Sequence, residues 1–522
     1  MRTLHSFFFA ALALAFVSTG CDDGDTGSGG GGGGTTNDPP EPLPALSKAP
    51  LTTEARIVPS TAQVVADNSK NLRLPDDAEA FLADGYGAYT TEAGEPVMPE
   101  TLDDTTPPAK GANAKLIARF VHFSDTQLAD DESPSRIVNA DGPLSPTSGA
   151  FRPQEGHECR IMNAAVRTIN RLSQDSKIDF VVLGGDNADN AQTNEVDWVL
   201  SILSGSDSVE CDSGDDDDPV SGGNNDPKDP FIAGGLDMPW LWVTGNHDVL
   251  NQGNFPPASI ADEYVGTNAA TGTRDWSQPG GPVYVGDVTA DERRAPLSGE
   301  DLMAKVKADG DGHGITDADL ASGYGEYTYD IPGTELRILA MDTAARTGSA
   351  DGLIHQSQLD EFIIPSLDQA VTDGKLVIVT SHHSSGQLTD GGGFGGQMQS
   401  DAVLPDEFRA VLATYPNVLM HLAGHTHHHK VTKIDVPTVA SYWEVESAAL
   451  ADWPNQLRVI EIWDADNGFY TIRMVGLDYQ TENDPIAEDG RQRAIMDYTT
   501  GWIGTGEGEL TDRNVELYVP KP

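Results

Sequence analysis

Trp240-Leu241-Trp242-Val243-Thr244-Gly245-Asn246-His247-Asp248 is an apolar run that ends in a glycine turn carrying an amide, an imidazole and a carboxylate. A short apolar run closed by a turn signal reads as a buried strand, and ligands of open α/β sheets collect at the carboxyl ends of such strands. The same arrangement recurs four times. Phe120-Val121-His122-Phe123-Ser124 leads into Asp125-Thr126-Gln127, and Phe180-Val181-Val182-Leu183 leads into Gly184-Gly185-Asp186-Asn187. Leu376-Val377-Ile378-Val379-Thr380-Ser381 ends in His382-His383, and Val418-Leu419-Met420-His421-Leu422-Ala423 ends in Gly424-His425-Thr426-His427. Five strands therefore deliver carboxylates, an amide and imidazoles to one edge, in the pattern of a metal site.

Helical spacing fills the gaps between these strands. Ile161, Ala165, Ile169 and Leu172 precede the strand at Phe180, and Phe408, Val411 and Leu412 precede the one at Val418. Alternating strand and helix implies an α/β fold with a mainly parallel, layered sheet. This domain is expected over residues 113–480, with insertions at about 203–237 and 251–335 that read as loops around the site mouth. Leu457–Trp463 and Phe469–Met474 look like a hairpin closing the sheet, and 481–522 reads as a C-terminal tail. Within the second insertion, Asp309-Gly310-Asp311-Gly312-His313-Gly314-Ile315-Thr316-Asp317 resembles the start of a calcium loop. Its twelfth position is Leu320, where a bidentate Glu is expected, so it is either a looser calcium-stabilised turn or a solvated acidic one.

Residues 1–20 combine Arg2, an apolar core from Phe7 to Val17 and small residues before Cys21, the pattern of a secretory signal. Small residues followed by Cys also look like a lipoprotein cleavage site, in which Cys21 is lipidated and anchors the exported protein to a membrane in the periplasm or at the cell surface. An ordinary signal with a coincidental Cys is the alternative. Residues 21–50, with six consecutive glycines at 29–34, form a Gly/Pro-rich tether, and 51–112 an N-terminal extension. Cys159 and Cys211 remain as a pair that either forms a disulfide or stays as two thiols. The net charge of −50 over 522 residues disfavours nonspecific nucleic-acid binding, and none is expected.

The donors along the motif strands are carboxylate, imidazole and amide without thiolate, which suits Mn, Fe or Zn rather than a cysteine-bound structural zinc. Seven of the 13 histidines fall in the three short stretches at 247, 382–383 and 425–429, a clustering that core histidines do not show. His122, alone on an apolar strand, reads as structure. In order, the series resembles the calcineurin-like metallophosphoesterase family, whose usual motifs are D-x-H, G-D-x-x-D, G-N-H-D/E, a strand-end His and G-H-x-H. Here they stand as Asp125-Thr126-Gln127, Gly185-Asp186-Asn187-Ala188-Asp189, Gly245-Asn246-His247-Asp248, His382 and Gly424-His425-Thr426-His427.

That resemblance implies two packed mixed β-sheets flanked by helices and a site for two metal ions. Asp186 would bridge the ions. Asp125 and His427 would complete one site, and Asn246, His382 and His425 the other. It further implies hydrolysis of a phosphate mono- or diester by a metal-bridging hydroxide, with His247 assisting the leaving group. Asp248 would orient His247, or serve only as a turn cap. Gln127 departs from the family pattern: it replaces a ligand His, and either its carbonyl binds a harder ion such as Mn or the first site is weak. His383 is a fallback ligand, while His428 and His429 continue the loop or shape the pocket. The long acidic loops are expected to narrow access and to select a small or cationic-headed phosphate ester. A second reading is a surface lipoprotein that keeps the fold and binds metal or calcium without efficient catalysis.

Overall fold

The computed structural model describes residues 40–521 apart from 66–69, 143–146, 148 and 505, so the signal, Cys21 and most of the tether lie outside the described residues. Each motif stretch forms a strand: β1 (Lys115–Phe123), β2 (Phe180–Leu183), β3 (Trp240–Leu241), β4 (Leu376–Thr380) and β5 (Val418–Ala423). They do not share one sheet. β1, β2 and β3 run parallel in a seven-stranded sheet, whereas β4 and β5 run parallel in a six-stranded one. The single edge expected from the sequence is thus the meeting of two sheets. The reason the sequence hides this is that periodicity marks a strand and not its partner.

β4 shows how the layers form. Leu376 and Ile378 join Phe120, Val182, Leu422 and Ile460 in the core between the sheets, while Val377 and Val379 face Leu367 and Phe408 on the outer helices. Successive side chains point to opposite faces, so a strand apolar throughout must be covered on both sides. Each such burial contributes about 1.5–3 kcal/mol. The helix Glu158–Asp175 buries Ile161, Ala165, Ile169 and Leu172, and Pro405–Ala413 buries Phe408 and Leu412. The result is an α/β fold of two packed mixed sheets flanked by helices, with long loop insertions.

Pairing is mixed rather than mainly parallel. Beyond β1 the seven-stranded sheet continues through the antiparallel hairpin Gln456–Asp464 and Phe469–Asp478, then Val515–Pro520, then Met98–Thr101. The hairpin therefore lies inside the sheet and does not close it. Nor is 481–522 a tail. Pro485–Thr499 is a helix, capped by Asp484, whose side chain accepts from Ala487 N, and Val515–Pro520 alternates its side chains as a sheet strand should. The second insertion also ends earlier than expected, because Tyr327–Asp330 pairs with Leu336–Ala340 as an edge strand.

The 309–317 turn covers the other sheet's edge. Trp242 N donates to His313 O at 3.0 Å, and the His313 ring stacks on Trp240 with centroids 3.3 Å apart, which halts β3 after two residues. Asp309 is taken up by His313 at 2.9 Å and by Ser204. Among the described residues the turn holds no cluster of three His, Cys, Asp or Glu ligand atoms, and it serves as an edge cover. None of the described helices is long and apolar enough to cross a membrane.

A disulfide joins Cys159 in the helix to Cys211 in the first insertion across 52 residues. Closing a loop of that size restricts the unfolded chain, and Cys211→Ser should lower the unfolding free energy by roughly 2–4 kcal/mol in denaturant titrations. A midpoint equal to that of the parent would show that the bridge does not constrain the chain.

Candidate metal centre

The strand ends meet through backbone that ordinary residues avoid. Asp125, Gln127, Asp186, His425 and His427 have φ of 52°, 44°, 52°, 70° and 59°, a left-handed region that costs an L-residue roughly 1–2 kcal/mol. Such strain persists only where the surroundings over-determine it, and it clusters at functional sites. Here the loops after β1 and β2 hold each other: Asp125 N donates to Gly185 O at 3.0 Å and Gln127 N to Asp186 O at 2.8 Å. Glycines allow the approach. A Cβ on Gly245 would lie 2.1 Å from Asp186 Oδ1, and one on Gly424 would lie 2.0 Å from Ser124 Oγ.

Eight of the nine residues expected at the site converge. The ligand atoms of Asp125, Asp186 and His382 lie within 4.8 Å of one another, all buried. His382 Nε2 stands 3.0 Å from Asp186 Oδ2 and 3.8 Å from Asp125 Oδ1, its Nδ1 being fixed by Gly184 O at 2.8 Å. His427 Nε2 is 3.3 Å from Asp125 Oδ1, and His425 Nδ1 is 3.3 Å from His382 Nε2. Asn246 donates its amide to Gly253 O at 3.1 Å, which leaves Oδ1 buried and without a hydrogen-bond partner. Gln127 Oε1 is likewise buried and unpartnered, with its Nε2 3.4 Å from Asp186 Oδ2.

Charge follows from this crowding. Burial would push the His382 ring down, but Asp186 and Asp125 carry it up to about 9. Burial acts the same way on His427, which Asp125 and Asp452 carry up to about 10. His425, buried beside the cationic His382, falls to about 3 and is a neutral donor. Burial raises the Asp186 carboxyl, yet His382 and His247 hold it well below the usual carboxylate range. Two adjacent buried carboxylates thus demand positive charge, which is what divalent cations bring.

Asp248, the ninth residue, lies behind the site. Its Oδ1 accepts from Asn187 N and Ala188 N at 2.9 and 3.0 Å, and its Oδ2 from Gly245 N at 2.8 Å and Asn187 Nδ2 at 3.1 Å. It braces two loops and does not touch the His247 ring. The residue that orients the ring is Asp189: His247 Nδ1 is 3.0 Å from its backbone O, with its Oδ1 at 2.9 Å as an ion-pair neighbour. Asp248 is adjacent to His247 in the chain and Asp189 is 58 residues away, so proximity in sequence points to the wrong acid. Asp452 carries no motif at all. It nevertheless accepts from His427 Nδ1 at 2.6 Å and from Arg152 Nε and Nη2 at 2.8 and 3.2 Å. A carboxylate behind a ligand imidazole fixes its tautomer and raises its basicity.

The other histidines of the motif stretches have hydrogen-bond partners of their own. His383 sits near His382 and His425, but both its nitrogens are used, by Thr343 Oγ1 and Ala350 O, each at 2.9 Å. His428 Nδ1 is 2.8 Å from Thr426 O within its own turn, and His429 is buried between Gln456 Oε1 and Ala448 N. His122 Nδ1 meets Ser447 Oγ at 2.8 Å.

Above the donors opens a cavity of 220 Å³, bounded by Asp186, Asn246, His247 and His427 at its floor and by Ile137, Phe255 and Phe394 toward solvent. Asp186 is its one carboxylate among the described lining residues. The acidic walls expected from the loops lie elsewhere, for example around a separate 440 Å³ cavity lined by Glu132, Asp215, Asp217 and Asp275.

A sequence profile of the calcineurin-like phosphoesterases matches residues 118–429. No curated protein matches the chain. Among solved structures, a dimetal phosphatase from Danio rerio is 11% identical over 70% of this chain and 100% of its own, with a TM-score of 0.36. GAP50, the anchor in the inner membrane complex of Plasmodium, is 10% identical over 73% of this chain and 95% of its own, with a TM-score of 0.30.

Two substitutions separate the supports. Asp452→Asn keeps the size of the side chain but removes the charge behind His427, and should weaken divalent-ion affinity about 10- to 100-fold in chelator competition. Asp248→Asn, which loosens only loop bracing, should lower the melting temperature with a smaller loss of affinity. Equal affinity losses in both would contradict the assignment of Asp452.

Proposed function

This chain belongs to the calcineurin-like phosphoesterase family, matched over 118–429, and from that premise we propose that it is an exported hydrolase of a phosphate mono- or diester that works with two divalent ions. The observation that carries the proposal is the pair of buried, unpartnered amide oxygens, Asn246 Oδ1 and Gln127 Oε1, beside Asp125, Asp186 and three imidazoles. A buried carbonyl left without a donor costs about 1–3 kcal/mol, and a cation repays it. Asp186 would be shared between the two ions, with Asp125, His427 and Gln127 on one side and Asn246, His382 and His425 on the other. The amide at Gln127 favours a hard ion such as Mn over Zn or Fe at its position.

Bound there, the two ions supply neutralisation of the phosphoryl charge and acidification of the attacking water. The chain supplies the rest. His247 N donates to Asp186 Oδ1 at 2.8 Å, which locks the bridging carboxylate and the imidazole loop together. With Nδ1 on Asp189, the His247 ring turns Nε2 toward the cavity, 4.0 Å from Asp186 Oδ2, where it can give a proton to the leaving-group oxygen. An imidazole held in this way favours catalysis over a metal-binding lipoprotein without turnover. Export is supported by the leader pattern at 1–20 and by the Cys159–Cys211 bridge, since disulfides persist in oxidising compartments. A lipid on Cys21 would hold the protein at a membrane surface.

The test is hydrolysis of paired chromogenic phosphate mono- and diesters by the chain stripped of metal and reloaded with Mn, Zn or Fe. Turnover should require metal, fall about 10²- to 10⁴-fold in His247→Ala and drop to background in Asp186→Ala. Turnover that survives stripping, or that is unchanged in both variants, would refute the reading.

A further inference from the structure

Gly391-Gly392-Gly393-Phe394-Gly395-Gly396 carries one side chain on a glycine loop, and that side chain is a phenylalanine left 61% exposed. The loop is not slack. A Cβ on Gly395 would lie 2.6 Å from Asn254 O, one on Gly396 would lie 2.3 Å from Gly391 O, and one on Gly393 would lie 2.3 Å from Ser349 Oγ. The glycines let backbone press against the second insertion, and the effect is to set Phe394 edge-on to Phe255, with centroids 5.5 Å apart and planes at 74°. Both rings line the cavity above Asp186 and His247.

Among the described residues, the polar side chains that line the outer part of this cavity are mostly held by other groups of the protein. Arg152, the one guanidinium among the described lining residues, gives Nε and Nη2 to Asp452 and Nη1 to Gly149 O. Gln252 accepts from Ile137 N and donates to Ala150 O, and Asn254 donates to Gln252 O. The apolar lining among the described residues is the aromatic pair with Ile137, Ala150 and Ala350. A cationic headgroup would meet two aromatic faces there but no carboxylate among the described lining residues except Asp186, which belongs to the metal cluster.

We propose that Phe394 and Phe255 form the leaving-group subsite, and that the ester cleaved carries a small planar aromatic leaving group that stacks on the exposed face of Phe394. The proposal rests on the phosphoesterase reading above and names the substrate class of the same site. The size agrees: 220 Å³ is below the ~300–1,000 Å³ of pockets for drug-sized ligands, which leaves room for one ring system beyond the phosphoryl group.

Phosphonates test this without turnover. The Mn-loaded full chain is titrated calorimetrically with inorganic phosphate, methylphosphonate, phenylphosphonate and phosphocholine. Phenylphosphonate should bind about 2- to 12-fold tighter than methylphosphonate. Phe394→Ala, at an exposed position whose loss removes no core packing, should bring the two to parity while phosphate affinity stays as in the parent, and Phe394→Trp should keep the preference. Phosphate binding without a phenyl preference, or a preference that survives in both Phe394→Ala and Phe255→Ala, overturns the subsite alone. Phosphocholine outbinding phenylphosphonate overturns it in favour of a quaternary ammonium. Failure of phosphate itself to bind would bring down the phosphoesterase reading and this subsite with it.

Discussion

Two carboxylates, Asp125 and Asp186, are buried side by side where two sheets meet, and the architecture around them follows from keeping them there. Like charges in a dry interior repel, so the fold surrounds them with imidazoles from β4 and β5 and with backbone donors. His425 N reaches Asp125 Oδ1 and Oδ2 at 3.2 and 3.1 Å, and His247 N reaches Asp186 Oδ1 at 2.8 Å. These donors exist because five site residues accept left-handed backbone. At roughly 1–2 kcal/mol each, that strain is offset by the packing of strands covered on both faces.

The connecting segments build on this centre in different ways. One turn of the second insertion seals the edge of β3 through Trp240, Trp242 and His313. The segment that follows β1 brings Arg152 to Asp452, and so reaches His427 from behind. A third contribution, the glycine loop at 391–396, meets Phe255 across the cavity mouth. The net charge of −50 is therefore carried away from the cavity, whose outer rim is aromatic and amide-rich.

Much of this was legible in the sequence because its signals are local. Apolar runs such as Leu376–Thr380 and Val418–Ala423 mark strands, and the donors at their ends stand two to four residues beyond them. What periodicity does not encode is pairing. The division of five strands between two sheets, the insertion of Val515–Pro520 beside the 456–478 hairpin and the approach of Asp452 to His427 are contacts between residues distant in the chain. Asp189 and Asp248 show the same limit. Asp248 follows His247 in the chain but turns inward to four donors, whereas Asp189, 58 residues away, is brought to the ring by the loop after β2. The acidic turn at 309–317 has the composition of a cation loop, but His313 stacking on Trp240 commits it to covering the sheet.

The central claim is that Asp186 is shared by two ions, with Asn246 and Gln127 each offering its unpartnered oxygen to one of them. Anomalous diffraction at the manganese edge from crystals soaked in Mn tests it most directly. Two peaks are expected, flanking the Asp186 carboxylate, one against Asn246 Oδ1 and the other against Gln127 Oε1. A single peak, or a peak at His383 in place of either, would contradict the claim.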